Sequence, residues 1–166
     1  EINQYTITID PANGDAATVI TQDYGTDITA PAAPEKEGYT FAGWSPAVDT
    51  TMPAQNIEYT ATWDANEYTI TFDTDGGSEV TNIVADYESD ISDRIPSNPE
   101  KTGYDFAGWV DENDAPAEVP LTMPLEGMAL KATWTPKSDT PFKVVVNYVD
   151  YTTGDAMTEE FADYTR

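Results

Sequence analysis

Tyr5-Thr6-Ile7-Thr8-Ile9-Asp10 alternates apolar and polar side chains, and Tyr68-Thr69-Ile70-Thr71-Phe72-Asp73 repeats it 63 residues on. A period of two puts Tyr5, Ile7 and Ile9 on one face of a β-strand, with Thr6, Thr8 and Asp10 on the other. Asn13-Gly14 and Asp75-Gly76-Gly77 follow these strands as hairpin signals, because these residues take positive φ at little cost. A second strand carries Ile20 and Tyr24, then Ile83 and Tyr87, on one face. A last strand alternates Ile57, Tyr59, Ala61 and Trp63 against Glu58, Thr60 and Thr62. Its counterpart sets Met128, Leu130, Ala132 and Trp134 against Ala129, Lys131 and Thr133.

These strands belong to a tandem repeat. Asp23-Tyr24 returns as Asp86-Tyr87, shifted by 63. Gly38-Tyr39-Thr40-Phe41-Ala42-Gly43-Trp44 returns as Gly103-Tyr104-Asp105-Phe106-Ala107-Gly108-Trp109, shifted by 65. Met52-Pro53 and Ala61-Thr62-Trp63 return as Met123-Pro124 and Ala132-Thr133-Trp134, shifted by 71. The shift grows only between matched blocks, so those places are loops; an insertion inside a strand would turn its apolar set to the wrong face. The division is repeat one at 1–63, repeat two at 64–134, a proline-containing linker at 135–141 and a partial third unit at 142–166. In that last segment, residues 142–148 read as a first strand, and Phe161-Ala162-Asp163-Tyr164 echoes Val84-Ala85-Asp86-Tyr87. No second-half motif follows, so the chain reads as a piece of a longer protein. Open strand edges in such a partial unit predict disorder, or strand exchange with a neighbouring molecule.

Between strands two and three, Asp27 or Asp90 is placed to cap a short helix, which Pro31 and Pro34, or Pro96 and Pro99, limit to a turn or two. The expectation is therefore a β-rich α+β fold of small ββαββ units. Units of this size sit near the lower limit for one core, so aromatic side chains must supply much of the burial.

Composition narrows the function. The 166 residues include 31 acidic and 7 basic side chains, a net charge of −24, with no Cys and no His. Thiol nucleophiles, disulfides and Cys-type zinc sites are excluded, as is histidine acid–base catalysis. Nucleic-acid partners are not expected, because no basic patch exists to displace counterions. No apolar run approaches the roughly 20 residues of a membrane-spanning helix, so no membrane insertion is expected. There is no Asn-x-Ser/Thr sequon. Repeat one carries −8, repeat two −13 and the remainder −3, a self-repulsion that favours an extended array at low salt.

With Tyr-Thr-Ile-Thr-Phe-Asp leading and Ala-Thr-Trp closing, the Gly-Tyr-x-Phe-x-Gly-Trp unit closely resembles the Listeria–Bacteroides repeat, the internalin-B-type B repeat of bacterial surface proteins. The match covers about 134 of the 166 residues. The resemblance implies a ubiquitin-like β-grasp unit, and tandem arrays on secreted or wall-attached proteins of Gram-positive bacteria, often adhesins. It supplies no catalytic motif. Val144-Val145-Val146-Asn147-Tyr148-Val149-Asp150 with Thr153-Gly154 is similar to the start of a mucin-binding-protein-type repeat.

The recurring residues Gly38, Tyr39, Phe41, Gly43, Trp44, Gly103, Tyr104, Phe106, Gly108 and Trp109 read as structural. A sugar-stacking aromatic pair is the competing use of Tyr39 with Trp44 and Tyr104 with Trp109. Trp63 and Trp134 leave two places open, inside their own unit or sealing the joint to a neighbour. Asp111, Asn113, Asp114 and Glu118 crowd one loop and are the first choice for Ca²⁺, although the loop lacks the third ligand and the Gly of an EF-hand. Lys36 and Lys101 as isopeptide donors find no support in spacing. Scattered carboxylates without a cleft do not suggest a glycosidase, and no cofactor is expected. The expected role is a non-catalytic stalk or spacer. The alternative is an adhesion module that binds a host protein or glycan through a strand edge or aromatic surface.

Overall fold

The computed structural model describes residues 2–138, 142–149, 153 and 156–164. Contacts gather the described residues into two compact units. One comprises Glu1–Thr69, Val84–Asp93 and Pro120–Gly127; the other comprises Ile70–Ile83, Arg94–Val119 and Met128–Arg166.

Repeat one forms a four-stranded mixed sheet, ordered β2-β1-β4-β3, from β1 (Gln4–Asp10), β2 (Thr18–Asp23), β3 (Tyr39–Ser45) and β4 (Ile57–Ala65). β1 runs antiparallel to β2 and parallel to β4, with Ile7 opposite Ile57 and Ile9 opposite Tyr59. β3 closes antiparallel on β4. The alternation in β1 and β4 faces one core: Ile7 and Tyr59 are buried with Met52, and Tyr5, Ile9, Ile28, Trp44, Val48 and Ile57 pack around them. The Tyr59 hydroxyl donates to Asp49 Oδ2 at 3.2 Å and accepts from Asp49 N at 3.1 Å, so its polar end is satisfied. Burial holds that phenol above its ordinary range.

Repeat two forms β5 (Glu67–Asp73), β6 (Ile83–Asp86), β7 (Tyr104–Val110), β8 (Pro116–Ala117) and β9 (Met128–Pro136). The sheet order is β6-β5-β9-β7-β8, and β5 is again parallel to the closing strand. Its second compact unit buries Ile70, Ile83, Trp109, Leu130 and Ala132. β10 (Phe142–Val149) and β11 (Ala156–Tyr164) pair antiparallel as a separate two-stranded sheet. The strand expected at 142–148 is β10, while the side chains of 142–149 and 156–164 lie outside the described residues.

The ββαββ expectation is corrected: the described residues contain no α-helix, only one 3₁₀ turn at Ser92–Arg94, so the fold is essentially all β rather than an α+β β-grasp. The prolines decide this. Each removes an N–H and forces the residue before it into extended geometry, leaving too few residues to nucleate a helix. Asp90 does act as a cap, but only for that turn: Ser92 N donates to Asp90 Oδ1 at 2.9 Å. The Ser92 hydroxyl and N–H hold the Asp90 carboxyl below its ordinary value.

Extended loops take the helix's place. Met52 N donates to Thr26 O at 2.8 Å, Gly25 N to Met52 O at 2.9 Å and Ile28 N to Thr50 O at 2.9 Å. The pattern recurs as Met123 N to Ser89 O, Glu88 N to Met123 O and Ile91 N to Leu121 O. These ladders carry Met52, and likewise Ile91 and Met123, into buried positions. No helix among the described residues is long and apolar enough to cross a membrane.

Candidate functional site

The Gly-Tyr-x-Phe-x-Gly-Trp motif lies on β3 and β7. Phe41 and Trp44 are three residues apart, so a regular strand would send them to opposite faces. Instead the register shifts between Phe41 and Gly43: Phe41 opposes Trp63, Gly43 opposes Thr62 and Trp44 opposes Ala61. This is a β-bulge, and it returns both aromatics to one face. Gly43 takes φ +140° there. Thr62 Oγ1 donates to its carbonyl at 2.9 Å. Phe41 meets Trp44 edge-on at 5.4 Å and Trp63 at 5.7 Å.

Repeat two reproduces each part. The shift falls between Phe106 and Gly108, Gly108 has φ +127°, and Thr133 Oγ1 donates to Gly108 O at 2.8 Å. Phe106 meets Trp109 at 5.2 Å and Trp134 at 5.6 Å, and Phe72 reaches Trp109 at 5.1 Å. Trp109 is 9% exposed. The question left open for Trp63 and Trp134 is answered by their contacts within their own repeats. Trp63 Nε1 donates to Pro11 O and Trp134 Nε1 to Thr74 O, both at 3.1 Å.

The two leading residues of the motif do something else. Gly38 and Tyr39 receive the start of repeat two, within the first compact unit. Asn66 N donates to Gly38 O at 2.9 Å, and Tyr87 N donates to Asn66 O at 2.8 Å. Thr40 Oγ1 donates to Asn66 Oδ1 at 2.6 Å. The Tyr87 ring lies over Gly38 so closely that a Cβ there would overlap it. Tyr87 also meets Tyr39 edge-on at 5.5 Å and Tyr68 at 6.2 Å. The Tyr39 hydroxyl donates to Glu88 Oε2 at 2.8 Å, and that bond, ahead of burial, raises the Tyr39 phenol above its ordinary value. Burial, then the Glu88 charge, raises Tyr87 likewise. Lys36 Nζ caps the Tyr39 ring at 4.2 Å from its centre.

At Gly103 and Tyr104 the same frame carries different chemistry. Lys137 N donates to Gly103 O at 3.0 Å, as Asn66 does to Gly38. An ion pair of 3.7 Å between Lys137 Nζ and Asp105 Oδ1 replaces the Thr40–Asn66 bond. Lys101 Nζ lies 5.1 Å from the Tyr104 ring centre and binds Asp75, through its carbonyl at 2.6 Å and its carboxylate at 3.5 Å. Tyr104 is 39% exposed, beside an open cleft of about 820 Å³. Lys101 and Lys137 line that cleft together with Glu100 and Asp105. Ser78 lines it too, and its Oγ accepts from Glu100 N at 2.9 Å.

The acidic loop is the turn between β7 and β8. Asp111 Oδ1 accepts from Asn113 N at 2.9 Å and Ala115 N at 3.0 Å, while Asp114 N donates to Asp111 O at 3.1 Å. Asp114 takes φ +58° at the tip, and Glu118 follows β8. Asp111 thus directs one oxygen to its own backbone. Among the described residues no three acidic side chains gather in an arrangement that could hold a metal ion.

The model of the Listeria-Bacteroides repeat domain matches residues 5–66 and 68–125. The chain belongs to the Listeria–Bacteroides repeat family. A provisionally named membrane protein of Evansella cellulosilytica is 36% identical over 173 residues, covering 98% of this chain and 25% of that protein. A second protein of that organism, provisionally named a Gly-rich membrane protein, is 38% identical over 120 residues, covering 68% of this chain and 14% of its own length. Internalin H of Listeria monocytogenes is 36% identical over 126 residues, covering 69% of this chain and 22% of its own length. The chain spans a quarter or less of each of these relatives. No solved structure matches it. The repeat motif itself was legible in sequence, but Asn66, Tyr87 and Glu88 were not recognised as its partners. The recurrence of Asp23-Tyr24 at Asp86-Tyr87 was the signal available for them.

Proposed function

We propose that this repeat region is a non-catalytic stalk of an extracellular, adhesin-like protein attached to the cell surface or wall, and that it carries a separate binding domain outward. One observation carries the reading: the aromatic residues best suited to recognise a ligand pack on one another. Phe41, Trp44 and Trp63 form one cluster, Phe106, Trp109 and Trp134 another, and Tyr39 is occupied by Tyr87. Family membership and the names of the relatives support the surface location. The 166-residue chain is tested on a glycan array and on host cells. A stalk gives no saturable binding in either assay; saturable binding at micromolar concentration contradicts it.

The second reading, an adhesion module, draws support from β2. This outer strand exposes Val19 at 63% and Ile20 at 41% and has no lysine or proline to guard its edge. It predicts cell binding that Val19→Lys abolishes.

A further inference from the structure

At the joint, Tyr87 lies on Gly38, and the parts that present Tyr87 stand a second time at Tyr24. Tyr24 N donates to Asn3 O at 2.9 Å, as Tyr87 N donates to Asn66 O at 2.8 Å, and Asn3 lies 63 residues before Asn66. Past the tyrosine both backbones enter the same ladder, Gly25 N on Met52 O and Glu88 N on Met123 O. The two tyrosines differ in cover: Tyr87 is half-buried, whereas Tyr24 is 58% exposed.

We propose that the face formed by Asn3 and Tyr24 is a docking surface for the Gly-Tyr-Thr-Phe segment of another Listeria–Bacteroides repeat, placed ahead of it in the same chain. The occupant follows from the surface already filled at Gly38, because the contacts made there use groups that Asn3 and Tyr24 also possess. The Asn3 N–H donates to the glycine carbonyl, the Asn3 amide oxygen accepts the threonine hydroxyl, and the Tyr24 ring covers the glycine. One contact does not transfer. Glu88, which accepts from Tyr39, has Gly25 as its counterpart, so this docking lacks the phenol–carboxylate bond. The proposal stands whether or not the array serves as a stalk.

The test extends the full chain with a copy of residues 1–63 placed directly before Glu1, which preserves the 63-residue spacing. The copy carries its own Tyr24→Phe, so that a single Tyr24 reports. Nitration of Tyr24 is followed by peptide mapping, with Tyr87 as the internal reference. In the extended chain Tyr24 slows to the rate of Tyr87, and Gly38→Ala in the added copy restores its fast rate. An unchanged Tyr24 rate after extension overturns the proposal. Should the Gly38→Ala copy fail to fold, Tyr24→Ala in the original repeat decides. It leaves the urea midpoint of the unextended chain unchanged and erases the gain brought by extension; an undiminished gain overturns the proposal. Protection of Tyr24 that grows with concentration in the unextended chain would assign the face to a second molecule, and also overturns it.

Discussion

Gly38 and Gly43 are the same residue for two different reasons. At Gly43 a Cβ would meet nothing within 4 Å, so alanine there carries only the strain of φ +140°. That strain is about 1 kcal/mol. At Gly38, alanine adds overlap with the Tyr87 ring to the strain of φ +79°, and the expected cost is at least about 2 kcal/mol. Urea unfolding of Gly43→Ala and Gly38→Ala checks this order, and equal midpoints would contradict it. The motif made both glycines conspicuous in sequence, yet it could not separate them, because the atoms that crowd Gly38 lie 49 residues further on in Tyr87. Tyr39 adds a pH dependence. Its native phenol titrates above the unfolded value of about 10. The stability it contributes is therefore full below about pH 10 and is lost as pH rises through the native value. In an alkaline unfolding series Tyr39→Phe loses less stability above that point than the parent chain does.

Among elements, the strands were legible and their cover was not. Alternation in Gln4–Asp10 and Ile57–Ala65 fixes which side chains share a face, and Ile7 and Tyr59 are buried as that alternation requires. The segment after Asp27 carried a local helix cue, a capping aspartate, against two prolines. Its true partner is the stretch at Thr50–Met52, and a pairing that distant leaves no periodic trace in the segment itself. The bulge was hidden for a related reason, since the three-residue spacing of Phe41 and Trp44 makes sense only once Gly43 is seen to re-phase the strand. Deleting Ala42 should remove the extra residue and leave Phe41 and Trp44 two apart on one face of a regular strand, so that Trp44 stays in its core. The expected loss is therefore well below the roughly 3–5 kcal/mol of an emptied aromatic site. A chain without Ala42 that loses stability on that scale would refute this account of the bulge.

Over the whole molecule, a net charge of −24 makes salt a stabiliser, because screening relieves repulsion among carboxylates. The organisation of the Asp111 loop adds a sharper expectation: Ca²⁺ and Mg²⁺ at equal ionic strength should raise the melting temperature equally, and an excess effect of Ca²⁺ that Asp111→Asn removes would reveal a specific site. The central claim is that the repeated aromatic motif holds the fold together rather than forming a ligand site. Trp109 tests it most directly, being 9% exposed and in ring contact with Phe72 and Phe106. In urea unfolding of the 166-residue chain, Trp109→Ala should lose about 3–5 kcal/mol. A Trp109→Ala chain with the midpoint and slope of the parent would contradict the claim.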